Sequence, residues 1–467
     1  MSDNLINLIK PRVIPPLDNN FMPVVLWNRA FLDEVHSSGE GIPLAIGLER
    51  GDGSISVFRT QVFPPEHKLA STNHFYIEGL IKTLLWIYGG NKIIIDSSSK
   101  EIYKYLKKVY SSTGKRSFDT NLMSNIYGKP FMVEVSNIKN IFPAKEKLIP
   151  LGGHLEGCRI GFDLGASDRK VSAVIDGKAI FSEEVVWNPS VQSNSNYHYH
   201  EIMTMLHRAA GHMPRVDAIG GSSAGIYINN QVMSASIFRG ISPELFEKKV
   251  KNIFLDIKKE WGVPFEIIND GEVTALAGSM SLKANSVLGI AMGSSEAGGY
   301  INKEGNITGW LNELAFIPID FNTEAPVDEW SGDQGCGVQY FSQVAVIRLA
   351  KKSGIVFDKK QTPTEKLKFI QELMSKGDKR AKKIFETIGC YLGYAVAYYS
   401  DFYDIKHILI LGRVTSGEGG YIILKKAEQV LKEEFPELFE NISLHLPDES
   451  IRRVGQSIAA ASLPTLL

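Results

Sequence analysis

The chain has 467 residues, enough for about three domains, and its 44% hydrophobic and 22% charged residues are typical of a globular protein. Its 51 basic and 52 acidic residues leave a formal charge of -1, so the sequence lacks the excess of positive charge that is typical of proteins that bind nucleic acids. Three separated cysteines exclude a disulfide framework, and no apolar run approaches the roughly 18 residues that a membrane span needs. We therefore expect a cytoplasmic protein that binds neither nucleic acid nor a membrane.

The first part of the chain predicts a separate α/β domain. Two strands, a helix, a strand and a helix are expected at Pro43–Glu49, Ser54–Val62, Phe75–Tyr88, Lys92–Asp96 and Lys100–Tyr110. Asp52-Gly53 between the first two strands is a strong hairpin signal. Prolines and glycines over Ile141–Gly157 predict a linker. We place domain boundaries at 1–155, 156–270 and 271–467.

The remaining chain contains the same series of elements twice. Strand Arg159–Asp163 is followed by a glycine-bearing turn, a hairpin, a helix and further strands, of which Phe265–Ile268 is the last. Ser242-Pro243 begins a predicted long helix between them. A strand at Ser286–Ala291 again leads into a glycine-bearing turn and a hairpin, and His407–Leu411 is a later strand. This duplication predicts two lobes with a cleft between them.

The turn after each opening strand is suited to phosphate. In Asp163–Ser167, backbone N–H groups could surround phosphate oxygens while Asp163 holds Mg²⁺ through water. The second half has Gly293, Ser294 and Ser295 at the matching position, where glycine allows close approach and the hydroxyl groups donate. Turns of the Asp-x-Gly type also end many strands that bind nothing. The pairing of the two turns is what favours a nucleotide site.

Two other strand ends carry candidate residues. Asn269-Asp270 stands between a strand and a helix, where Asp270 could accept a proton from a bound hydroxyl group or where the pair could simply cap the helix. Gly412-Arg413 follows an apolar strand and precedes a helix, which suits a nucleotide contact and a surface turn almost equally.

Together these segments resemble the ROK family (repressor, open reading frame, kinase) of the sugar kinase and actin-like ATPase superfamily, over about residues 158–465. Asp163-Leu164-Gly165 looks like the first phosphate motif, Asn269–Gly278 like the segment with the catalytic Asp, and Gly293–Gly299 like the second phosphate motif. The resemblance implies an α/β, two-lobed, actin-like (ribonuclease H-like) sugar kinase fold with an additional N-terminal α/β domain.

The resemblance also implies a function: phosphorylation of a hexose or N-acetylhexosamine by Mg·ATP, with Asp270 as general base. The sugar would be held by Asn269, Glu313, Asn312 and Gly225. The phosphates and nucleotide would be held by Asp163, Gly165, Ser167, Gly293, Ser294, Ser295, Gly412 and Arg413. Kinases of the family are commonly homodimers.

The sequence departs from the family pattern at four places. The usual Gly-Glu-Ile-Gly-His segment reads Asn312–Phe316, and the cysteine-rich zinc loop is replaced by Gly332–Gln339 with the single Cys336, so we expect no zinc. The second sugar-binding Glu is missing, and Gln339 or Asp333 are its candidate substitutes. The second phosphate turn has Ser-Ser-Glu where the family has Thr-Gly-x-Gly, and the carboxylate of Glu296 is expected to lie awkwardly near phosphates.

These departures leave two other functions open. One is a sugar- or nucleotide-binding sensor without turnover, and the other is an actin-like ATPase without a sugar acceptor. The repressor function is rejected, because residues 1–150 show no basic recognition helix. That region could be a nucleotide-silent extra lobe, an oligomerisation surface or a cover for the active site.

Overall fold

The computed structural model describes residues 10–96, 100–136, 144–146, 152–447 and 455–466, and the strands in these ranges form three sheets and one small hairpin. The strands are β1 (Ile42–Glu49), β2 (Ile55–Val62), β3 (Lys92–Asp96), β4 (Met132–Ser136), β5 (Cys158–Leu164), β6 (Asp168–Ile175), β7 (Lys178–Val186), β8 (Ala218–Ser223), β9 (Ile226–Ile228), β10 (Gln231–Ser234), β11 (Phe265–Asn269), β12 (Val287–Met292), β13 (Glu296–Ile301), β14 (His407–Leu411) and β15 (Ser443–His445). Residues 141–143 and 147–151 of the expected linker lie outside the described residues.

Several helices begin at local sequence signals. They are α1 (Val24–Ser38), α2 (Thr72–Tyr88), α3 (Lys100–Val109), α4 (Ser117–Tyr127), α5 (Ser195–Ala210), α6 (Pro243–Leu245), α7 (Ile253–Trp261), α8 (Asp270–Leu282), α9 (Gln343–Lys352), α10 (Pro363–Ser375), α11 (Lys379–Tyr399), α12 (Glu418–Glu434), α13 (Pro436–Phe439) and α14 (Gln456–Ala461). Thr362 and Glu365 form a capping box at the start of α10. The single long helix expected after Ser242-Pro243 is wrong, because a π-helical turn at Phe246–Val250 separates α6 from α7.

The two lobes repeat one sheet pattern. In the first lobe the strand order is β11-β8-β5-β6-β7, with β5, β8 and β11 parallel and the hairpin strands antiparallel. In the second lobe the order is β13-β12-β14-β15, again with a hairpin beside parallel strands. The turns after β5 and β12 therefore lie at equivalent places, and the expected two-lobed α/β fold is confirmed.

The N-terminal sheet follows a different pattern. Its order is β2-β1-β3-β4, and β1 is antiparallel to both of its neighbours. In each lobe, by contrast, the first strand of the hairpin pairs in parallel with the strand that follows the helix. The N-terminal region is thus an α/β addition with its own topology.

The buried hydrophobic side chains form clusters that do not follow the three predicted domains. One cluster of buried side chains runs from the N-terminal region into the second lobe, whereas the first lobe has a separate cluster. Across the shared cluster, Trp27 of α1 lies edge-on to Phe321, with ring centroids 5.7 Å apart. The Thr83 and Tyr398 hydroxyl groups, from α2 and α11, are 2.6 Å apart. The N-terminal region therefore packs as part of the second lobe.

The last helix returns to the first lobe. Gly161 and Gly220 of its sheet lie so close to α14 that a Cβ atom at either would collide with the helix backbone. The described ranges contain no helix that combines the length and the apolar character needed to cross a membrane.

Candidate functional site

Two carboxyl groups stand at the ends of the parallel strands of the first lobe. Asp163 is the last residue but one of β5, and its Oδ1 accepts a hydrogen bond from the Ser222 hydroxyl group at 2.7 Å. Asp270 is the first residue of α8, directly after β11. Burial, together with the nearby charge of Asp163, raises the pKa of Asp270 to about 7. A carboxyl group with this pKa can exchange a proton near neutral pH.

Asn269 fixes the junction between β11 and α8. Its Oδ1 accepts a hydrogen bond from the Gly271 N–H group at 2.7 Å, which makes it the N-cap of the helix. Its Nδ2 donates to the Gly225 carbonyl oxygen at 2.7 Å. The capping and functional interpretations are therefore compatible, because the cap belongs to Asn269 and leaves Asp270 as the adjacent first residue of the helix.

Glu313 approaches this group from the second lobe. Burial, together with the smaller effects of Asp270 and Glu272, raises the pKa of Glu313 to about 8, so the three carboxyl groups are neighbours. The N–H groups of Asn312 and Glu313 donate to the carbonyl oxygens of Ile87 and Trp86, each at 2.9 Å, at the end of α2. The N-terminal region thus holds the backbone that carries Glu313.

The Asn312 side chain is used inside the protein. It is buried, and its Oδ1 accepts a hydrogen bond from the Tyr403 hydroxyl group at 3.0 Å. Its backbone has a positive φ of 52°, which asparagine tolerates better than most residues. The structure therefore places Asn312 as a support for Glu313.

The two phosphate turns lie at the carboxyl ends of β5 and β12. The Gly165 N–H group donates to the Asp168 carbonyl oxygen at 2.9 Å, and Ser294 and Ser295 are exposed. Gly412 ends β14 beside the second turn with a φ of 100°, and a Cβ atom there would collide with the Met292 carbonyl oxygen. Only glycine fits that close approach of the two strand ends.

Arg413 connects the two lobes at these turns. Its guanidinium group donates to the Ser167 hydroxyl group at 3.0 Å and to the Asp168 carboxylate at 2.7 Å. Its side chain is 48% exposed, so the pair is open to solvent. The predicted nucleotide residues of both lobes are therefore brought together at one edge of the cleft.

Glu296 lies elsewhere than we expected. The residue is 3% exposed, and the Tyr399 hydroxyl group donates to its Oε1 at 3.4 Å, while its Oε2 lies against Gly337. Burial raises its pKa to about 8. The carboxyl group points into the second lobe rather than toward the exposed serines, so the expected conflict with phosphates does not arise.

The segment in place of the zinc loop is bound by the N-terminal region. The Asp333 carboxylate accepts from the Lys82 ammonium group at 2.5 Å and from the Arg116 guanidinium group at 2.7 Å. The Phe316 ring stacks on Trp86 with centroids 4.2 Å apart. Asp333, one of the two expected substitutes for the missing sugar ligand, thus has its carboxylate occupied. Of Gln339, the other candidate, the backbone carbonyl oxygen accepts a hydrogen bond from Arg348.

A cavity of about 710 Å³ opens beside Asn269, where three parts of the molecule meet. Its wall includes Arg50 and Tyr127 from the N-terminal region, Tyr227 from the first lobe and Trp310 from the second lobe. The volume is in the range of ligand pockets in general. Gly225 and Asn269, both predicted from the sequence, line it.

Glu272 and Thr308 also line this cavity, and the sequence analysis did not select them. For Glu272 the signal was a lone carboxyl group in a helix of small, buried residues. For Thr308 no local pattern could have identified it, because it follows an ordinary turn.

Comparisons with known proteins identify the family and the fold. The model of the ROK family matches residues 159–450. A ROK family transcriptional regulator, a homolog of the E. coli Mlc protein, is 17% identical, with 66% of this chain and 78% of that chain covered and a TM-score of 0.54. A ROK family glucokinase from Streptomyces griseus, in complex with glucose and AMPPNP, is 19% identical, with 66% and 99% covered and a TM-score of 0.50.

A ROK hexokinase from Thermus thermophilus is 17% identical, with 65% of this chain and 97% of that chain covered and a TM-score of 0.50. No curated protein matches the sequence. At these identities the solved structures show the fold, which sugar kinases and a regulator share. The family model, in turn, covers well over half of the chain. This protein therefore belongs to the ROK family, with an N-terminal region ahead of the family domain.

Proposed function

We propose that the protein is an ATP-dependent kinase that phosphorylates a sugar hydroxyl group, with Asp270 as general base. The observation that carries this proposal is the position of Asp270. It directly follows Asn269 on the cavity wall, it is close to Asp163 near the phosphate turns, and its pKa is about 7. A base in that place could serve an acceptor in the cavity and a phosphate donor at the turns.

The proposed reaction transfers the γ-phosphoryl group of ATP to the sugar hydroxyl group. The sugar hydroxyl group gives its proton to the Asp270 carboxylate, and its oxygen forms a bond to the γ-phosphorus of ATP. The bond from that phosphorus to the bridging oxygen breaks, and ADP leaves with the electron pair. A general base contributes about 10²–10⁴-fold, and positioning and electrostatics contribute most of the rest.

The other residues bind and orient in this proposal. Asn269, Gly225 and Glu313 position the sugar. The phosphates are bound at both turns and at the end of β14 by Gly165, Ser167, Gly293, Ser294, Ser295, Gly412 and Arg413.

Asp163 fits an indirect contact with Mg²⁺. Its Oδ1 is used by Ser222, and its Oδ2 has no hydrogen-bond partner within the described residues, which leaves that atom to accept from a water of a hydrated ion. The metal would neutralise charge on the phosphate oxygens.

A binding protein without turnover is the second candidate. The observation that favours it is the pair between Arg413 and Asp168, which already spans the cleft at the proposed phosphate site. Such a contact could hold the lobes in one arrangement that a ligand shifts.

ADP release from Mg·ATP, measured across hexoses, hexosamines, N-acetylhexosamines and polyols, tests the proposal. We expect sugar-dependent release by the wild type and a loss of about 10²–10⁴-fold in kcat for Asp270→Asn, with ATP binding retained. Asp176→Asn, in an exposed hairpin turn far from the cleft, is the control. Release that no sugar stimulates would contradict the kinase, and sugar binding without release would favour the second candidate.

A further inference from the structure

The cavity beside Asn269 contains a buried carboxyl group that no described residue neutralises. Glu272 is 9% exposed and lies in the first turn of α8, and no described residue forms a hydrogen bond or an ion pair with its carboxyl group. Burial raises its pKa to about 8. A helix N-terminus favours a negative charge, but here desolvation outweighs that effect. An unpaired buried carboxyl group costs stability, so a partner from outside the chain would explain it.

A second polar group in the same cavity also lacks a partner. Thr308 is 4% exposed, and its Oγ1 has no hydrogen-bond partner in the described part of the chain. Buried hydroxyl groups in proteins are nearly always hydrogen-bonded. Two unsatisfied groups on one cavity wall indicate a ligand that presents several hydrogen-bonding groups.

The charged residues around the cavity favour a ligand that carries a positive charge. Arg50 is paired with Glu146 at 2.6 Å, and Lys251 with Glu247 at 2.8 Å, so both cations on the wall already have anionic partners. Glu272 has no such partner, and its charge acts on neighbouring Glu313. A bound cation would stabilise the ionised form of Glu272 and so lower its pKa, whereas an anion would keep that carboxyl group protonated.

The apolar part of the wall fits a sugar ring. Trp310 and Tyr227 line the cavity, and aromatic faces suit the C–H surface of a ring while polar groups bind its substituents.

We propose that the acceptor is a sugar with a free, protonated amine, and that Glu272 and Thr308 accept hydrogen bonds from its ammonium group. This inference rests on the proposed function, because that function places a sugar in the cavity. It differs from the expectation of a neutral hexose or an N-acetylated sugar, since acetylation removes the charge that Glu272 would neutralise.

Calorimetric binding to the full chain tests this inference without relying on turnover. The probes are glucose, 2-amino-2-deoxyglucose, 6-amino-6-deoxyglucose and N-acetylglucosamine. We expect at least one amino sugar to bind about tenfold or more tightly than both glucose and N-acetylglucosamine, as a charge-assisted hydrogen bond predicts. Glu272→Gln should remove this preference and leave the affinity for glucose within about twofold.

Two further variants complete the test. Thr308→Val should reduce the preference partly, and Glu101→Gln, an exposed glutamate in the first turn of α3, should leave it unchanged. Equal binding of glucose and both amino sugars, or binding of none of the probes, overturns the inference. So does a preference that survives Glu272→Gln. Selective binding of an amino sugar without ADP release would support the inference and contradict the kinase.

Discussion

The first lobe packs its sheet against its own helices and the returning α14, whereas the sheet of the second lobe shares a continuous hydrophobic core with the N-terminal region. Asp163 stands on the lobe whose core is separate from the N-terminal region, and Glu313 stands on the lobe that shares its core with that region. The difference teaches that the two sides of the cleft depend on different parts of the chain. Changes in the N-terminal region should affect the sugar side of the site and leave the phosphate turn of β5 intact.

Replacement of Trp86 gives the largest expected effect in this comparison. The residue is fully buried, stacks on Phe316, donates from Nε1 to Asp119 at 3.1 Å, and accepts the Glu313 N–H group at its carbonyl oxygen. Trp86→Ala should lower the free energy of unfolding by about 3–5 kcal/mol. It should also raise the KM for the sugar more than the KM for ATP, because Phe316, in the segment that carries Glu313, loses the ring on which it stacks.

Phe254→Ala is the matched control for Trp86→Ala. Phe254 is fully buried in the core of the first lobe, with Phe162 6.4 Å and Phe265 6.3 Å away between ring centroids. We expect a similar loss of stability by urea denaturation and no selective change in the KM for the sugar. An equal effect of both variants on that KM would show that the two lobes do not differ in this way.

The pH dependence of stability should come partly from the shared core. Burial raises the pKa of Glu296 from 4.5 to about 8, so the folded chain binds this proton more tightly than the unfolded chain. The free energy of unfolding should therefore fall as the pH rises from about 4.5 to about 8. In Glu296→Gln the decrease in the free energy of unfolding over this pH range should be smaller than in the wild type, by on the order of 1–3 kcal/mol.

Urea denaturation at a series of pH values measures this effect. Glu304→Gln, at an exposed hairpin turn, should leave the slope of the wild type unchanged. A wild-type stability that is constant between pH 5 and 8 would contradict the burial of an unneutralised Glu296.

Removal of the connection between the lobes gives the smallest expected change in stability. Arg413→Ala breaks an exposed pair, so we expect a loss of about 0.2–1 kcal/mol. The KM for ATP should rise severalfold if the guanidinium group also contacts phosphate. Arg380→Ala breaks a similar exposed pair within one lobe, at Asp378, and should leave the KM for ATP unchanged. Equal ATP kinetics in the two variants would remove Arg413 from the nucleotide site.

Local signals predicted much of the fold and part of the site. The strand at Lys92–Asp96 has the expected bounds, and the turns at Asp163 and Gly293 fall at equivalent strand ends, because alternation and glycine placement are properties of short segments. Helix α1 was not predicted, although Val24, Phe31 and Val35 share its buried face, since proline rather than a capping side chain precedes it.

The sequence by itself determined the duplicated strand-turn-hairpin order, because that order depends on residues that are adjacent in the chain, and its resemblance to the ROK family singled out Asp270 as the candidate base. Only the tertiary structure decided that Asp333 binds Lys82, that the end of α2 holds Glu313, and that Glu272 and Thr308 face one cavity without partners. The reason is physical. Neutralisation and desolvation of a side chain depend on groups hundreds of residues away, whose positions no local pattern specifies.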